Sequence, residues 1–466
     1  MDFDPVLLSR IQFAFTVTFH IIFPSFTIGL AAWIATLEGM WLWSKNERYH
    51  KLARFWTKIF AVSFGMGVVS GVVLSYQFGT NWSEYSRVVG NVVAPLIGYE
   101  VLTAFFLEAT FLGIMLFGWN RVPPWLHFTA SVLVALGTAM SAFWILSANS
   151  WMQYPVGYSM QNGVAVPEDW LEIIFSPTFP TRFAHMLTAA YITTAFVVLA
   201  AGARYWLQGR HIDHAETMIK MALGLLIVLV PLQMEFGDQS GMKVAEYQPT
   251  KVAAMEAHWD GNESPVPFVL FAWPNEETES NDFAITIPHV ASMLITRTWD
   301  GKFPGLKDVP AEDRPPVAPV FFSFRIMVGL GLIMLATVVV GAVLWWRRRL
   351  FSTGLYLKTV SYMWPIGFLA IVAGWYTTEI GRQPWVVHGV LRTADAVSPV
   401  PGGSVATTLA LFVIVYGIVF SFGIYYINRL LRRGPEPTGE GSSESSARRP
   451  ISFAHDAGRD AIQPGE

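Results

Sequence analysis

Two histidines and a methionine, His20, His185 and Met327, lie within or at the edge of long apolar runs, together with Glu100, Glu108, Arg325, Glu379 and Arg382. Imidazole nitrogen and thioether sulfur are both ligands for haem iron. A His–Met pair on separate helices suits a six-coordinate haem, which carries single electrons and keeps no position open for a substrate. His185 and Met327 fit that pair, and Arg325, two residues before Met327, offers a charge for haem carboxylates. His20 is a candidate single protein ligand to a second haem. Each residue also has a plainer reading. A lone histidine can be a polar group satisfied by a neighbouring helix, a methionine can be core packing, and Glu379 and Arg382, at i and i+3, can be a local ion pair. An ionisable group inside an apolar segment costs a few kcal/mol unless it is paired or used, so the set needs an account.

The elements that hold these residues follow from composition. The chain of 466 residues is 53% hydrophobic, 15% aromatic and 14% charged, with the apolar residues gathered in blocks, and it reads as an all-α integral membrane protein. Its net charge of −3, from 31 basic and 34 acidic residues, offers no basic stripe for nucleic acid. The absence of cysteine excludes disulfides, iron–sulfur clusters, thiolate-ligated haem and c-type haem attachment. Windows long enough to span the hydrocarbon core fall near 11–40, 56–80, 93–118, 125–149, 182–206, 218–235, 320–346, 360–380 and 404–430, giving nine transmembrane helices. The start, SRIQFAFTVTFH, has neither the basic region nor the cleavage site of a signal peptide and reads as a mature helix. Basic connections after spans one, five, seven and nine belong on the cytoplasmic side, which places the N-terminus outside and the C-terminus inside. Arg87 and Arg297 are exceptions in outer loops. The organisation expected is helices 1–6 over 1–235, an extracytoplasmic loop over 236–319, helices 7–9 over 320–431 and a disordered cytoplasmic tail over 432–466.

With that orientation, His20, Glu100, His185, Met327 and Glu379 fall in one layer in the outer half of the membrane, and Glu108 lies about 12 Å deeper than Glu100 by the helical rise. Glu100 and Glu108 are eight residues apart, within about 80° around an ideal helix, so both can face one interior path for protons. In the outer loop, QPTKVAAMEAHWD puts Lys251 and Glu256 beside an apolar patch, where they can meet a hydroxylated, lipid-like substrate. By itself that stretch is equally an ordinary amphipathic surface helix.

The segments FGTNWSEYS, AFFLEATFLGIMLFGW, SAFWILSANSWMQYPVG, FFSFRIMVGLG and TEIGRQPW, in this order across nine spans, closely resemble subunit I of the cytochrome bd-type quinol oxidases, from about Leu8 to Leu431. The resemblance implies a copper-free terminal oxidase of the bacterial cytoplasmic membrane that takes electrons from ubiquinol or menaquinol at the outer face and reduces O2 to water. It implies two haem b and one haem d. His185 and Met327 are then the axial ligands of the low-spin haem b, with Arg325 beside it. His20 and Glu379 each serve one haem of the high-spin pair, and Arg382 and Trp385 contact haem. Glu100 and Glu108 serve the oxygen site and its protons, and Lys251 and Glu256 form the quinol pair. The short outer loop is that of the short-loop branch. GRQPWVVHGVLRTADAVSP resembles the cyanide-insensitive branch, which leaves the third haem as d or b. A second large subunit and a small single-helix subunit are implied as partners in the bilayer. Of the rival classes, a secondary transporter needs no haem, and a b-type electron carrier leaves the Glu100, Glu108 and Glu379 set without a use. A haem–copper oxidase needs more intramembrane histidines than this chain has.

Overall fold

The structure, a computed structural model, describes residues 4–436. Helix α1 (Pro5–Ser44) starts where the Asp4 side chain accepts a hydrogen bond from the Val6 amide. Lys45 then turns left-handed, and Asn46 caps α2 (Glu47–Thr80). Helix α3 (Ser83–Tyr99) runs through a π-helical turn (Glu100–Phe105) into α4 (Phe106–Phe117). Helix α5 (Pro124–Gln153) begins on a proline, which loses nothing at a position whose N–H has no helical acceptor. A hairpin of β1 (Tyr158–Gln161) and β2 (Val164–Pro167) and the short α6 (Trp170–Ile174) lead to α7 (Phe179–Leu207) and α8 (Ile212–Tyr247). The long connection holds α9 (Pro249–Glu256), an antiparallel hairpin of β3 (Phe268–Asn275) and β4 (Ser280–Ile287), and α10 (Val290–Thr296). Helix α11 (Val317–Trp346) is followed by α12 (Gly354–Ser361) and α13 (Ile366–Ile380), then by the small hairpin β5 (Trp385–Val387) and β6 (Leu391–Arg392), and last by α14 (Gly402–Arg433).

Among the described residues, eight helices are long and apolar enough to cross a membrane, or nine if the α12–α13 pair, bent by 45°, is counted as one span. They coincide with the nine apolar windows. The bend falls at Pro365, which has no N–H to continue a helical ladder. Two boundaries differ from expectation. Helix α8 does not stop at residue 235 but continues to Tyr247, supported by Gln239 donating to Glu235 and Lys243 to Glu246. Helix α14 extends to Arg433, and 437–466, the rest of the expected tail, lie outside the described residues. The two exceptional arginines are both neutralised locally, Arg87 by Glu84 and Arg297 by Asp238.

Small residues let the helices approach closely. Gly29 of α1 packs on Thr194 of α7, whose hydroxyl donates to the Phe26 carbonyl at 2.9 Å, and Gly367 of α13 packs on Thr193. One apolar cluster, including Leu30, Trp56, Phe196 and Leu223, fills one end of the bundle. A second, around Trp82, Tyr85 and Trp151, closes the end nearer the β5–β6 hairpin. The polar site lies at that second end.

Candidate functional site

The contacts of α7 with its neighbours set the levels of the ligand candidates. Thr193 meets Gly367, while nearer the β5–β6 hairpin Asn149 bridges Arg182 and Glu379, so α7 and α13 run antiparallel. Counting from the Thr193–Gly367 contact, His185 and Gly374 are eight and seven residues away, about 12 and 10 Å along their axes. Gly374 is where Met327 of α11 packs, since a methyl carbon placed there would lie 2.8 Å from its Sδ. Met327 and His185 are therefore level. His20 joins them, because Thr18, half a turn away on α1, hydrogen-bonds Tyr376 at 2.9 Å. Its Nδ1 lies 3.0 Å from the Ser70 hydroxyl, which leaves Nε2 as the nitrogen for a ligand bond. Glycines face both rings: a methyl at Gly71 would lie 3.2 Å from Cε1 of His20, and one at Gly237 3.3 Å from Cε1 of His185. Gln233 approaches both His185 ring nitrogens, at 3.1 and 3.2 Å.

One helical turn closer to the β5–β6 hairpin stands a cluster of buried charge. Glu379 accepts from Asn149 at 3.0 Å and from Gln153 at 3.4 Å and is ion-paired with Arg382. Arg182 donates to Asn149 at 2.5 Å and to Ser150 at 2.8 Å, and Lys251 donates to Gln153 at 2.5 Å. Arg382 thus pairs with the carboxylate directly, and Arg182 and Lys251 reach it through Asn149 and Gln153. Burial, reinforced by Arg382 and Arg182 and opposed by Glu379, holds the Lys251 ammonium well below the usual lysine range. Arg382 is 5% exposed, and its Nε and Nη1 have no hydrogen-bond partner. Trp385 sits at the start of β5 with the Arg392 guanidinium 4.7 Å over its ring, and it lines a cavity of about 200 Å3 together with Lys251, Arg382 and His388.

Helix α9 is no surface helix: Lys251 and Glu256 are each 4% exposed. The two do not act on one spot. Five residues of helix turn them apart by about 140°, and Glu256 pairs with Arg325 at 2.7 Å while Lys251 joins the Glu379 cluster. Arg325 is further held by the Val269 carbonyl at 2.8 Å and by the rings of Phe268 and Phe321. Its charge, expected to face haem carboxylates, is met by Glu256, so the unbalanced positive charge lies at Arg182, Lys251 and Arg382.

Glu100 and Glu108 are brought together by an irregularity. The π-helical turn spends one extra residue, which removes about 100° of rotation and brings the two carboxyls to within about 20° of each other. Both face α5. Ser141 donates to Glu100 at 2.7 Å, and Gly137, one turn along, packs on Glu108, where a methyl would lie 2.7 Å from Cγ.

The sequence model of the cytochrome bd terminal oxidase subunit I family matches residues 8–435. This chain belongs to that family. It is 37% identical to cytochrome bd ubiquinol oxidase subunit 1 of Bacillus subtilis over 92% of this chain and 94% of that protein. It is 34% identical to cytochrome bd-II ubiquinol oxidase subunit 1 of Escherichia coli, over 93% and 97%. Among solved structures it resembles the bd oxidase of Geobacillus thermodenitrificans, with a TM-score of 0.86 and 32% identity over 93% of this chain and all of that one.

A cytochrome subunit carries haem, and the bd-oxidase layer fits one. Imidazole and thioether groups face glycines, where no Cβ fills the space beside them, and the orphaned Arg382 donors need an anion such as a haem carboxylate. Several residues of the site are not apparent from sequence. Arg182, Asn149 and Gln153 build the charged cluster, and Gly71, Gly237 and Gly374 make the close approaches. Arg182 did carry a signal, being an arginine at the first position of an apolar run and three residues before His185. The glycines carried none.

Proposed function

We propose that this chain is the catalytic subunit of a quinol:dioxygen oxidoreductase. In this reading it works with a second large subunit and a small single-helix subunit in the bacterial cytoplasmic membrane, N-terminus outside and C-terminus inside. The observation that carries the reading is the Glu379 cluster, where Arg182, Lys251 and Arg382 surround one carboxylate one turn from the layer of His20, His185 and Met327. Buried cations in excess need a resident anion, and the neighbouring side chains are iron ligands.

His185 and Met327 would hold the low-spin haem b, His20 and Glu379 the two high-spin haems, and Arg382 and Trp385 would contact haem, Arg382 through its carboxylates. When bound, the haems supply the one-electron steps between quinol and dioxygen. The remaining work belongs to the chain. Lys251, whose ammonium is held below the usual lysine range by burial, exchanges a proton with the quinol, and Glu256 offers a carboxylate on the same short helix, oriented by Arg325. Glu108 and Glu100, on one face toward α5, hold and pass the protons that oxygen reduction consumes. Quinol protons leave outside and substrate protons come from the cytoplasm, so the reaction is electrogenic without a pump. About 2.3 kcal/mol is stored per charge moved against 100 mV.

The test is a reduced-minus-oxidised absorption spectrum of the purified oxidase, with and without carbon monoxide. A low-spin b band plus a carbon-monoxide-reactive high-spin band is expected. A chlorin-type band assigns haem d to the third site, and a b-type band assigns haem b. An intact preparation without haem bands overturns the reading in favour of a transporter.

A further inference from the structure

The end of the bundle away from the haem-ligand layer buries a second titratable group set that none of these roles uses. Glu38 on α1 is 1% exposed and His127 on α5 is 3% exposed. Nδ1 of His127 lies 2.8 Å from Oε2 of Glu38, and the Ser131 hydroxyl donates to Oε1 at 2.7 Å. Apolar residues of the same volume would join α1 to α5 at least as well, so packing alone does not explain a buried carboxylate–imidazole couple. The couple also has an open end: Nε2 of His127 is buried without a hydrogen-bond partner among the described residues. Beyond it stand Trp119, whose ring lies 4.0 Å from that of His127, and, across Trp119, His50 at 5.4 Å and the Arg54 guanidinium at 5.7 Å. His50 is bonded to the exposed Glu47 at 3.2 Å.

We infer that His127, Glu38 and Ser131 form the uptake end of the proton route to Glu108, an inference that rests on the role proposed for Glu108. Positions 127, 131, 134, 138 and 141 recur at intervals of three and four, which puts them on one face of α5. Along it Ser131 touches Glu38 and Ser141 bonds Glu100, while Gly137, which packs on Glu108, lies beside that face next to Thr138. From Ser131 to Gly137 the helix rises about 9 Å. In each passage His127 accepts a proton at Nε2 and releases the one on Nδ1 to Glu38. The carboxyl passes a proton to Ser131, whose own hydroxyl proton moves on toward Glu108. One proton is taken up and one delivered, no electron moves, and a tautomer exchange resets the imidazole.

The experiment compares Glu38→Gln, His127→Gln, Ser131→Ala and Glu108→Gln in the assembled oxidase, with haem content scoring assembly. Glutamine keeps the hydrogen bonds but cannot relay, so Glu38→Gln and His127→Gln should lower oxygen turnover per haem by about 10²-fold, the low end for a positioned proton donor. Reduction of the low-spin haem by quinol in a single turnover should stay unchanged, and the solvent deuterium isotope effect on turnover should rise. Ser131→Ala removes only the last hydroxyl and should move the same readouts the same way; it decides the matter if the glutamine variants fail to assemble. Turnover per haem and an isotope effect like those of the unmutated enzyme in these three variants, with Glu108→Gln slow, overturn this inference alone. An unaffected Glu108→Gln overturns the role of Glu108 itself.

Discussion

Gly374 gives the sharpest test of the His185–Met327 assignment, because it perturbs the ligand without replacing it. In Gly374→Ala the new methyl sits 2.8 Å from Met327 Sδ. Ordinary van der Waals separation is about 3.5–4.0 Å, so the thioether must retreat by about 1 Å. Such overpacking costs about 1–3 kcal/mol, and a methionine chain relieves it by moving its sulfur, the atom the assignment gives to iron. Carried by one oxidation state alone, that strain is worth about 40–130 mV of one-electron potential, at 59 mV for a tenfold change. Methionine ligation raises the potential, so the midpoint of the low-spin haem should fall, and part of its low-spin band should convert to high-spin. The assay is a spectroelectrochemical titration of the assembled enzyme. Gly329→Ala is the control, two residues from Met327 on α11 and with nothing within 4 Å of the added carbon. If Gly374→Ala titrates like the control, Met327 is core packing and not an axial ligand.

Three further outcomes follow from the same geometry. Glu108→Gln should slow oxygen reduction in steady state while single-turnover quinol reduction of the low-spin haem stays intact, and equal loss of both steps refutes the proton role. Glu256→Gln leaves Arg325 buried without its counter-charge, so thermal unfolding should show a loss of about 3–5 kcal/mol with a raised quinol KM; unchanged stability would mean that the pair is solvated. Burial, with Lys251 and Arg382 nearby, pushes the His388 imidazole down to about 4 from its ordinary value of about 6.5. Between those values the unfolded chain binds a proton that the folded one refuses, so this contribution to stability is complete above about pH 6.5 and is lost as pH falls toward 4. His388→Gln should flatten the melting temperature across that window, and a slope equal to that of the unmutated protein rejects the shift.

Much of the architecture is legible in sequence because the bilayer simplifies the problem. A span must be long and apolar whatever it packs against, so nine windows of composition locate nine helices without knowledge of their neighbours. The same logic exposes His20, Glu100, Glu108, His185, Met327, Arg325, Glu379 and Arg382, since each charge or ligand stands out against an apolar background. Hydrophilic segments give no such contrast. Continuation of α8 to Tyr247 depends on side-chain pairs such as Gln239 with Glu235, and burial of α9 depends on what covers it.

Sequence by itself therefore determined the membrane class, the positions of the apolar spans and which ionisable and ligand-type groups lie within them, because these follow from local polarity against lipid. Only the tertiary structure decided how those groups combine. It turned Lys251 to Gln153 beside Glu379 and Glu256 to Arg325, aligned Glu100 with Glu108 through a π-helical turn, added Arg182, Asn149 and Gln153, and paired Glu38 with His127. Pairing of buried charge is set by distances of a few ångströms between helices far apart in the chain, and no local pattern of residues encodes those distances.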